Sequence, residues 1–303
     1  MYLEYYLKQL SIDSMPSFLK KYLVSPSLLR LKKIGYFCGM DYASDNIYNF
    51  REYISRYDHS LTVSLLTWKL THNKTSTLAG LFHDIATPCF SHVIDYMNKD
   101  YDKQESTEEK TASIILNDTY LLNCFKEDHI NIEDIINFKK ITVVDNDRPK
   151  LCADRIDGII LTGIGWTKNI TLEEISEIVN NLCIFKNEDN EDEISFKDLR
   201  TAIKVIKINE SIDKFCHSNE DNYMMELLAK ITKYAINNKY ITYDDLYNYG
   251  EEELLSYLEK TCDELNKLIY LFKNIKKEEI EDVNLPSVKA RIIKPIVNKS
   301  RIM

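Results

Sequence analysis

The sequence predicts an all-α fold, because helical patterns recur along the chain while residues that make tight strand turns are scarce. The chain has 303 residues, of which 44% are hydrophobic, so it can bury a sizeable core. Only 7 Gly and 6 Pro are spread over this length, which leaves few places for strand turns. We expect one helical domain over residues 1–168 and a helical C-terminal region with a basic tail over residues 169–303.

The composition argues against several classes of protein. A net charge of -9 disfavours a general nucleic-acid binder, although a locally basic phosphate pocket is compatible with it. The 7 Cys are scattered without a C-x-x-C pair, so neither a disulfide framework nor a zinc ribbon is predicted. No apolar run approaches the ~20 residues of a membrane span, and the N-terminus lacks a secretory pattern. We therefore expect a cytoplasmic protein with no membrane partner.

Several short helices are predicted before residue 35, and a longer helix follows. This longer helix is expected from His59 onward, with Asp58 as its cap. His59, Val63, Leu66 and Leu70 fall on one face of it, so His59 points inward with the apolar side chains. An inward histidine is either a hydrogen-bonded core residue or a metal ligand.

The next predicted helix, about residues 75–85, ends in the adjacent residues His83 and Asp84. An imidazole and a carboxylate at the buried end of a helix suit a divalent transition metal. Pro88 interrupts the helix, and the chain is expected to resume a helix near Phe90.

In that resumed helix His92 and Asp95 share a face, because they are three residues apart. Taken alone, this pair could be a surface hydrogen bond. Further along, residues 151–161 form a predicted helix with Asp154 on its apolar side, where a carboxylate requires a partner.

The second half of the chain is predicted to be helical, with no further cluster of metal ligands. Thr171 opens a helix with a capping box, residues 187–193 form an acidic loop, and a second cap lies at residues 195–198. Helices at about 221–238 and 251–273 follow. The tail is basic and is either a solvated arm or a segment that reaches a phosphate. Its cations are Lys289, Arg291, Lys294, Lys299 and Arg301.

Taken together, His59, the His83-Asp84 pair and Asp154 make the pattern H…HD…D, and the chain resembles the HD-domain metal-dependent phosphohydrolases. Residues 55–63, SRYDHSLTV, are similar to the R-[FY]-x-H-S-L-x-V motif of the deoxynucleotide triphosphohydrolase branch. Residues 79–92, AGLFHDIATPCFSH, are similar to its H-D-[IL]-x-x-x-P-F-S-H motif. The resemblance covers roughly residues 26–165.

The resemblance implies a helical bundle around one divalent transition metal ion, which could be Mn, Fe, Co, Ni or Zn. His59, His83, Asp84 and Asp154 match the family's metal ligands. The implied reaction is hydrolysis of a phosphoester bond by a metal-activated water. The implied partner is a small phosphorylated substrate, such as a nucleotide. Many relatives are oligomers, so a homodimer is also compatible with the resemblance.

The resemblance also assigns roles beyond the metal. His92 matches the catalytic general acid and Asp95 the carboxylate that orients it. Arg56 and Arg155 match positions that hold phosphate oxygens, where the alternative for an isolated arginine is a surface ion pair.

The chain departs from the family at the position of a second His-Glu motif. Residues 104–108, QESTE, contain no histidine there, and Gln104 and Glu105 are the substrate-binding candidates in this stretch. Gly158 and Thr162 replace the family's sugar-contacting residues, so the substrate can differ from a deoxynucleoside triphosphate.

Asp145 and Asp147 either line the altered pocket or stabilise a turn. The alternative to an enzyme is a non-catalytic nucleotide-binding sensor or scaffold that retains the metal site. A purely structural helical protein is a third interpretation.

Overall fold

The computed structural model describes residues 1–101, 110–284 and 288–302, and in this part the protein is mostly helical with one small sheet. Gln104 and Glu105 therefore lie outside the described residues. Among the described helices none combines the length and apolar character that crossing a bilayer requires. The helices are α1 (Tyr2–Gln9), α2 (Leu19–Tyr22), α3 (Pro26–Arg30), α4 (Arg56–Thr71), α5 (Lys74–Phe82), α6 (Val93–Met97), α7 (Thr111–Asn117), α8 (Thr119–Glu127), α9 (Ile132–Ile136), α10 (Ala153–Gly165), α11 (Leu172–Asn181), α12 (Leu199–Cys216), α13 (Asn219–Asn237), α14 (Glu251–Glu259) and α15 (Asp263–Asn274).

Helix α4 is the element on which the neighbouring helices pack, and α5 and α10 both lie against it. It is buried on most sides, although it contains several hydroxyl residues. Thr62 and Thr67 donate to the carbonyl oxygens of Asp58 and Val63 at 2.9 and 2.8 Å. Because these hydroxyls are satisfied within the helix, α4 can be buried without a large desolvation cost.

The start of α4 differs from the sequence prediction by one turn. Ser55 is the cap, and its hydroxyl accepts from the backbone N–H of Asp58 at 3.1 Å. The Asp58 carboxylate in turn accepts from the backbone N–H of Ser55 at 2.9 Å. Asp58 therefore completes a capping box in the first turn, and Arg56 and His59 both belong to the helix.

Other observed helix boundaries also differ from the predicted ones. The predicted helix at 75–85 is Lys74–Phe82, and the helix expected near Phe90 begins at Val93. The capping box at Thr171 is confirmed. The single helix expected at 251–273 is two helices, because Cys262 is extended, with φ -160° and ψ 163°, and starts a new helix.

The expectation of an all-α fold is wrong in one respect, since four strands form a sheet. Its order is β1 (Leu182–Lys186), β2 (Asp192–Phe196), β3 (Ile296–Val297) and β4 (Ser300–Arg301). The pairs β1–β2 and β3–β4 are antiparallel, and β2 and β3 are parallel. Of the predicted acidic loop at 187–193, residues 187–191 form the turn of the first hairpin, and Asp192 and Glu193 belong to β2. Ser195 and Phe196 also lie in β2 rather than in a helix cap. Asp198 is the cap of α12.

The first and second halves of the chain pack on each other. Helix α1 contacts α11, α6 contacts α13, and α10 contacts α12. Glu251, at the start of α14, is fully buried and accepts from the backbone N–H groups of Gly35 and Phe90 at 2.8 and 2.9 Å. The Glu251 carboxyl therefore connects the second half of the chain to the backbone at Gly35 and at Phe90, in the segments that precede Arg56 and His92.

The carboxyl group of Asp41 lies beside that of Glu251. A Cβ atom on Gly35 would be 2.5 Å from Asp41 Oδ2 and 2.9 Å from Glu251 Oε2, so only glycine lets both approach. Asp41 Oδ2 is buried without a hydrogen-bond partner among the described residues. Burial raises the pKa of Asp41 to about 7, and burial together with Asp41 raises the pKa of Glu251 to about 8.

We predict that Asp41→Asn reduces the pH dependence of stability. The folded state holds the Asp41 proton up to about pH 7, whereas the unfolded chain releases it near 3.9. The wild-type free energy of unfolding should therefore fall as pH rises through this window. Asn carries no such proton, so urea unfolding at pH 4 and pH 8 should show a smaller loss, by about 1 kcal/mol or more.

The matched control is Asp45→Asn, at an exposed position in the same segment. It should retain the wild-type difference between the two pH values. An unchanged difference in the Asp41 variant would contradict the assignment of this proton.

Candidate functional site

The candidate metal centre is assembled from three places in the chain. Helix α4 supplies His59, the residues that follow α5 supply His83 and Asp84, and the first turn of α10 supplies Asp154. His59 and His83 are buried, with exposed fractions of 1% and 5%. The structure thus brings together the four residues that the sequence analysis selected as ligands.

The ligand atoms lie close to one another. The Nε2 atoms of His59 and His83 are 3.2 Å apart, and Asp154 Oδ1 is 3.0 Å from the first and 3.5 Å from the second. Asp84 is slightly farther, with Oδ2 at 3.8 Å from His59 Nε2 and Oδ1 at 3.8 Å from His83 Nε2. His59, His83 and Asp154 form a group of three within metal-ligand reach.

The other nitrogen of each ring is already engaged. His83 Nδ1 is 2.8 Å from the carbonyl oxygen of Gly80, which can only accept, so Nδ1 carries the hydrogen. His59 Nδ1 is 2.8 Å from Asp157 Oδ2. With both Nδ1–H groups donated outward, the two Nε2 atoms face each other and the carboxylates.

Facing acceptors repel each other unless a cation lies among them. Burial opposes protonation of His83, but the carboxylates of Asp84 and Asp154 prevail and raise its pKa to about 10. Burial likewise opposes ionisation of Asp154, yet its hydrogen bonds with the two imidazoles hold its pKa well below the ordinary value. The cluster therefore favours positive charge, and its nitrogen and oxygen donors suit a divalent transition metal.

Asp157 is a further residue of the candidate site, which the sequence analysis quoted but did not select. It is fully buried and accepts from Tyr6 Oη at 2.6 Å and from His59 Nδ1. Burial raises the pKa of Asp157, whereas its hydrogen bond with His59 lowers it. Its position three residues after Asp154 places it on the same helix face, which is the signal that could have identified it.

His92 and Asp95 form the pair that their spacing predicted. His92 Nδ1 is 2.8 Å from Asp95 Oδ2, and Asp95 is fully buried. His92 lies on the wall of the same cavity as the metal cluster. Phe90 and Ser91 have positive φ angles of 65° and 45°, so the backbone before His92 is held in an uncommon conformation. A surface hydrogen bond is thereby excluded for a pair whose carboxylate is buried.

The two selected arginines occupy different places. Arg56 is buried and donates to Asp84 Oδ2 at 2.9 Å, and Asp84, against the effect of burial, raises the Arg56 pKa. Arg155 donates to the backbone carbonyl oxygens of Lys150 and Asn146, the latter at 2.6 Å. Both line the cavity, but Arg155 holds the turn that precedes α10.

The remaining candidates are Asp145 and Asp147, which also line this cavity. Asp145, Cys152 and Asp154 bring ligand atoms within 4.8 Å of one another. Burial and Asp154 raise the pKa of Asp145. Asp145 also accepts from the backbone N–H of Asn146 at 2.7 Å, so it stabilises the turn and faces the cavity at once.

One cavity of about 760 Å³ is lined by His83, Asp84, Asp154 and His92, together with the selected arginines and aspartates. Aromatic side chains also contribute to its wall, including Tyr36, Tyr48 and Trp166. Gly158 permits this arrangement, because a Cβ there would lie 2.7 Å from Tyr36 Oη. The sequence analysis did not select Arg148 as a site residue, and left open whether Lys289 and Arg291 reach a phosphate, but all three line this cavity.

Comparison with known proteins gives a distant relative and no function. No family model matches the chain. The chain is 26% identical over 237 residues to the uncharacterized protein YdhJ of Bacillus subtilis (strain 168). The match covers 78% of this chain and 69% of YdhJ.

We predict that Asp157→Asn weakens metal binding. The carboxylate fixes the tautomer of His59, and loss of such a partner lowers metal affinity about 10–100-fold. Titration of chelator-treated protein with Co²⁺, followed by visible absorption and calorimetry, measures the change.

The matched control is Asp147→Asn, at an exposed position of the cavity rim, which should bind Co²⁺ like the wild type. Equal affinity in the wild type and the Asp157 variant would contradict the role of Asp157. Failure of the folded wild type to bind any transition metal would contradict the metal centre itself.

Proposed function

We propose that the protein is a metal-dependent phosphohydrolase of the HD superfamily, which hydrolyses a phosphoester bond of a nucleotide or similar small phosphorylated substrate. The observation that supports this most is the convergence of His59, His83, Asp84 and Asp154 beside a cavity that the last three of them line. In the sequence these residues occur in the order and context typical of that superfamily.

A divalent metal held by these four residues would acidify a water and offset the charge that develops on the phosphoryl oxygens. Arg56 lies beside this position and can contribute a guanidinium to a phosphate oxygen, since its Nε is buried without a hydrogen-bond partner among the described residues. Burial of His59 and His83 keeps bulk water from weakening these interactions.

His92 is the proposed general acid. In the reaction the water oxygen forms a bond to phosphorus and its proton is released to solvent, while the bond from phosphorus to the leaving oxygen breaks. His92 as general acid gives an Nε2 proton to that leaving oxygen and regains one from solvent. Asp95 accepts the Nδ1–H of His92 and so directs Nε2 toward the cavity. The buried position of Asp95 favours a fixed ring orientation.

The cavity suits a substrate with both charged and apolar groups. Its wall combines aromatic rings with the residues of the metal cluster and several cations. This combination is appropriate for a nucleotide, whose base can pack on aromatic side chains. The 7 cysteines are free thiols in the structure, which is compatible with a reducing cytoplasm.

The test is a release assay with metal-loaded protein over nucleoside mono-, di- and triphosphates. We expect turnover in the wild type, and His92→Ala should lower the rate by about 10²-fold or more while Co²⁺ binding persists. His217→Ala, which alters an exposed histidine of α12's C-terminal end, is the control and should retain the rate.

A metal-loaded wild type that turns over none of the phosphoesters would contradict the proposal. If such a protein were nevertheless stabilised against heat by a nucleotide, the sensor interpretation would be supported instead.

A further inference from the structure

The C-terminal segment, residues 288–302, is anchored at the cavity. Its strand β3 pairs with β2 through Phe196 and Val297, and the backbone N–H of Lys294 donates to the carbonyl oxygen of Pro149 at 2.9 Å. The Nη2 atom of Arg301 donates to Glu188 Oε2 at 2.7 Å and to Glu193 Oε2 at 2.8 Å. Since Glu193 is fully buried, this ion pair fixes the end of the segment firmly.

The anchoring places two cations of this segment on the cavity wall. The backbone N–H of Arg291 donates to Asp213 Oδ1 at 2.6 Å, and the backbone N–H of Lys289 donates to the carbonyl oxygen of Tyr101 at 3.2 Å. The backbone is therefore bonded away from the cavity, while the side chains of Lys289 and Arg291 line it. Arg148, from the turn before α10, lines the same cavity.

These cations disfavour the charge of Arg148 and of Lys289, whereas, against the effect of burial, neighbouring thiol and phenol groups and Asp221 raise the pKa of Arg291. Burial, with the guanidinium groups of Arg155 and Arg291, lowers the pKa of Arg148 to about 10. Burial, with Arg148 and Arg291, also lowers the pKa of Lys289. The Nη1 atom of Arg148 is buried and has no hydrogen-bond partner among the described residues. Converging cations with an unsatisfied donor are costly unless an anion offsets them.

Nearby carboxylates offset only part of this charge. Asp154 acts on Arg148, Asp95 acts on Lys289, and Asp221 acts on Arg291. Each carboxylate also contacts another group, since Asp154 contacts the two metal-site histidines, Asp95 holds His92 and Asp221 accepts from Tyr48. An anionic ligand can accept from the unpartnered Arg148 donor and offset the charge that remains.

We propose that Arg148, Lys289 and Arg291 form an anion subsite beside the metal cluster, which binds a second phosphate group of the ligand. The link to catalysis rests on the proposed function, whereas the anion subsite itself does not. It implies a ligand with at least two phosphate groups, and it makes the C-terminal segment part of the binding site. Lys289 and Arg291 are then specificity-determining residues.

The test is calorimetric titration of chelator-treated protein with orthophosphate and with pyrophosphate. Without metal, binding reports the cations alone. We expect pyrophosphate to bind more tightly than orthophosphate, and Arg148→Gln or Arg291→Gln each to weaken pyrophosphate binding about tenfold or more. Arg148→Lys should retain most of the affinity, because it retains the charge.

The matched control is Lys294→Gln, which removes an exposed charge from the same segment. It should leave pyrophosphate binding unchanged, and circular dichroism with thermal melting should show that all variants are folded. Equal weakening in the Lys294 variant would indicate general charge attraction and overturn the subsite, as would absence of pyrophosphate binding to the folded wild type.

The two proposals fail in different ways. Pyrophosphate binding that depends on Arg148 and Arg291, in a protein without turnover, would leave the subsite standing and remove the hydrolase. Turnover of phosphoesters at a rate that Arg148→Gln and Lys289→Gln do not change, with no preference for two phosphate groups, would retain the hydrolase and overturn the subsite.

Discussion

The rest of the site depends on the close approach of two buried imidazoles, those of His59 and His83, to the Asp154 carboxylate. Such a cluster is unstable by itself, so the fold must hold it in place from outside. Gly80 and Asp157 do this by accepting the outward Nδ1–H groups of the two rings. Because Tyr6 in turn donates to Asp157, the N-terminal helix also contributes to the orientation of His59. A bound metal ion would offset the repulsion that remains among these groups, and the mixed nitrogen and oxygen donors are compatible with such an ion.

The sequence predicted that these residues form one cluster through the resemblance of residues 55–63 and 79–92 to known motifs. Local context indicated only that His59 lies on an apolar helix face, that His83 and Asp84 end a buried helix, and that Asp154 lies on an apolar side where a carboxylate requires a partner. Local context could not predict which hydroxyl and carboxyl groups orient the rings, since Tyr6 and Asp157 are separated by 151 residues. Long-range partners of this kind are set by tertiary packing, which periodicity does not encode.

The sequence analysis did not predict the sheet or the position of the C-terminal segment, residues 288–302, for a related reason. Scarce Gly and Pro argued against strand turns, but the turns use Asn190 at φ 60° and Asn298 at φ 49°, and asparagine tolerates this conformation. Because β2 was not predicted, the sequence did not show where residues 288–302 would dock. Pairing of β3 with β2 carries the tail to the cavity, where Lys289 and Arg291 become part of its wall.

Arg56 connects the metal cluster with the phosphate contacts. Its NH1 donates to Asp84 Oδ2 at 2.9 Å, so in this arrangement the guanidinium serves as a cation for a ligand carboxylate. A guanidinium engaged in this way has less capacity for a phosphate oxygen. A metal bound at Asp84 would share the charge of that carboxylate and weaken its hold on Arg56. Within the proposed function, occupancy of the metal cluster therefore prepares Arg56 for the phosphate, and the same carboxylate couples the two events because it faces both cations.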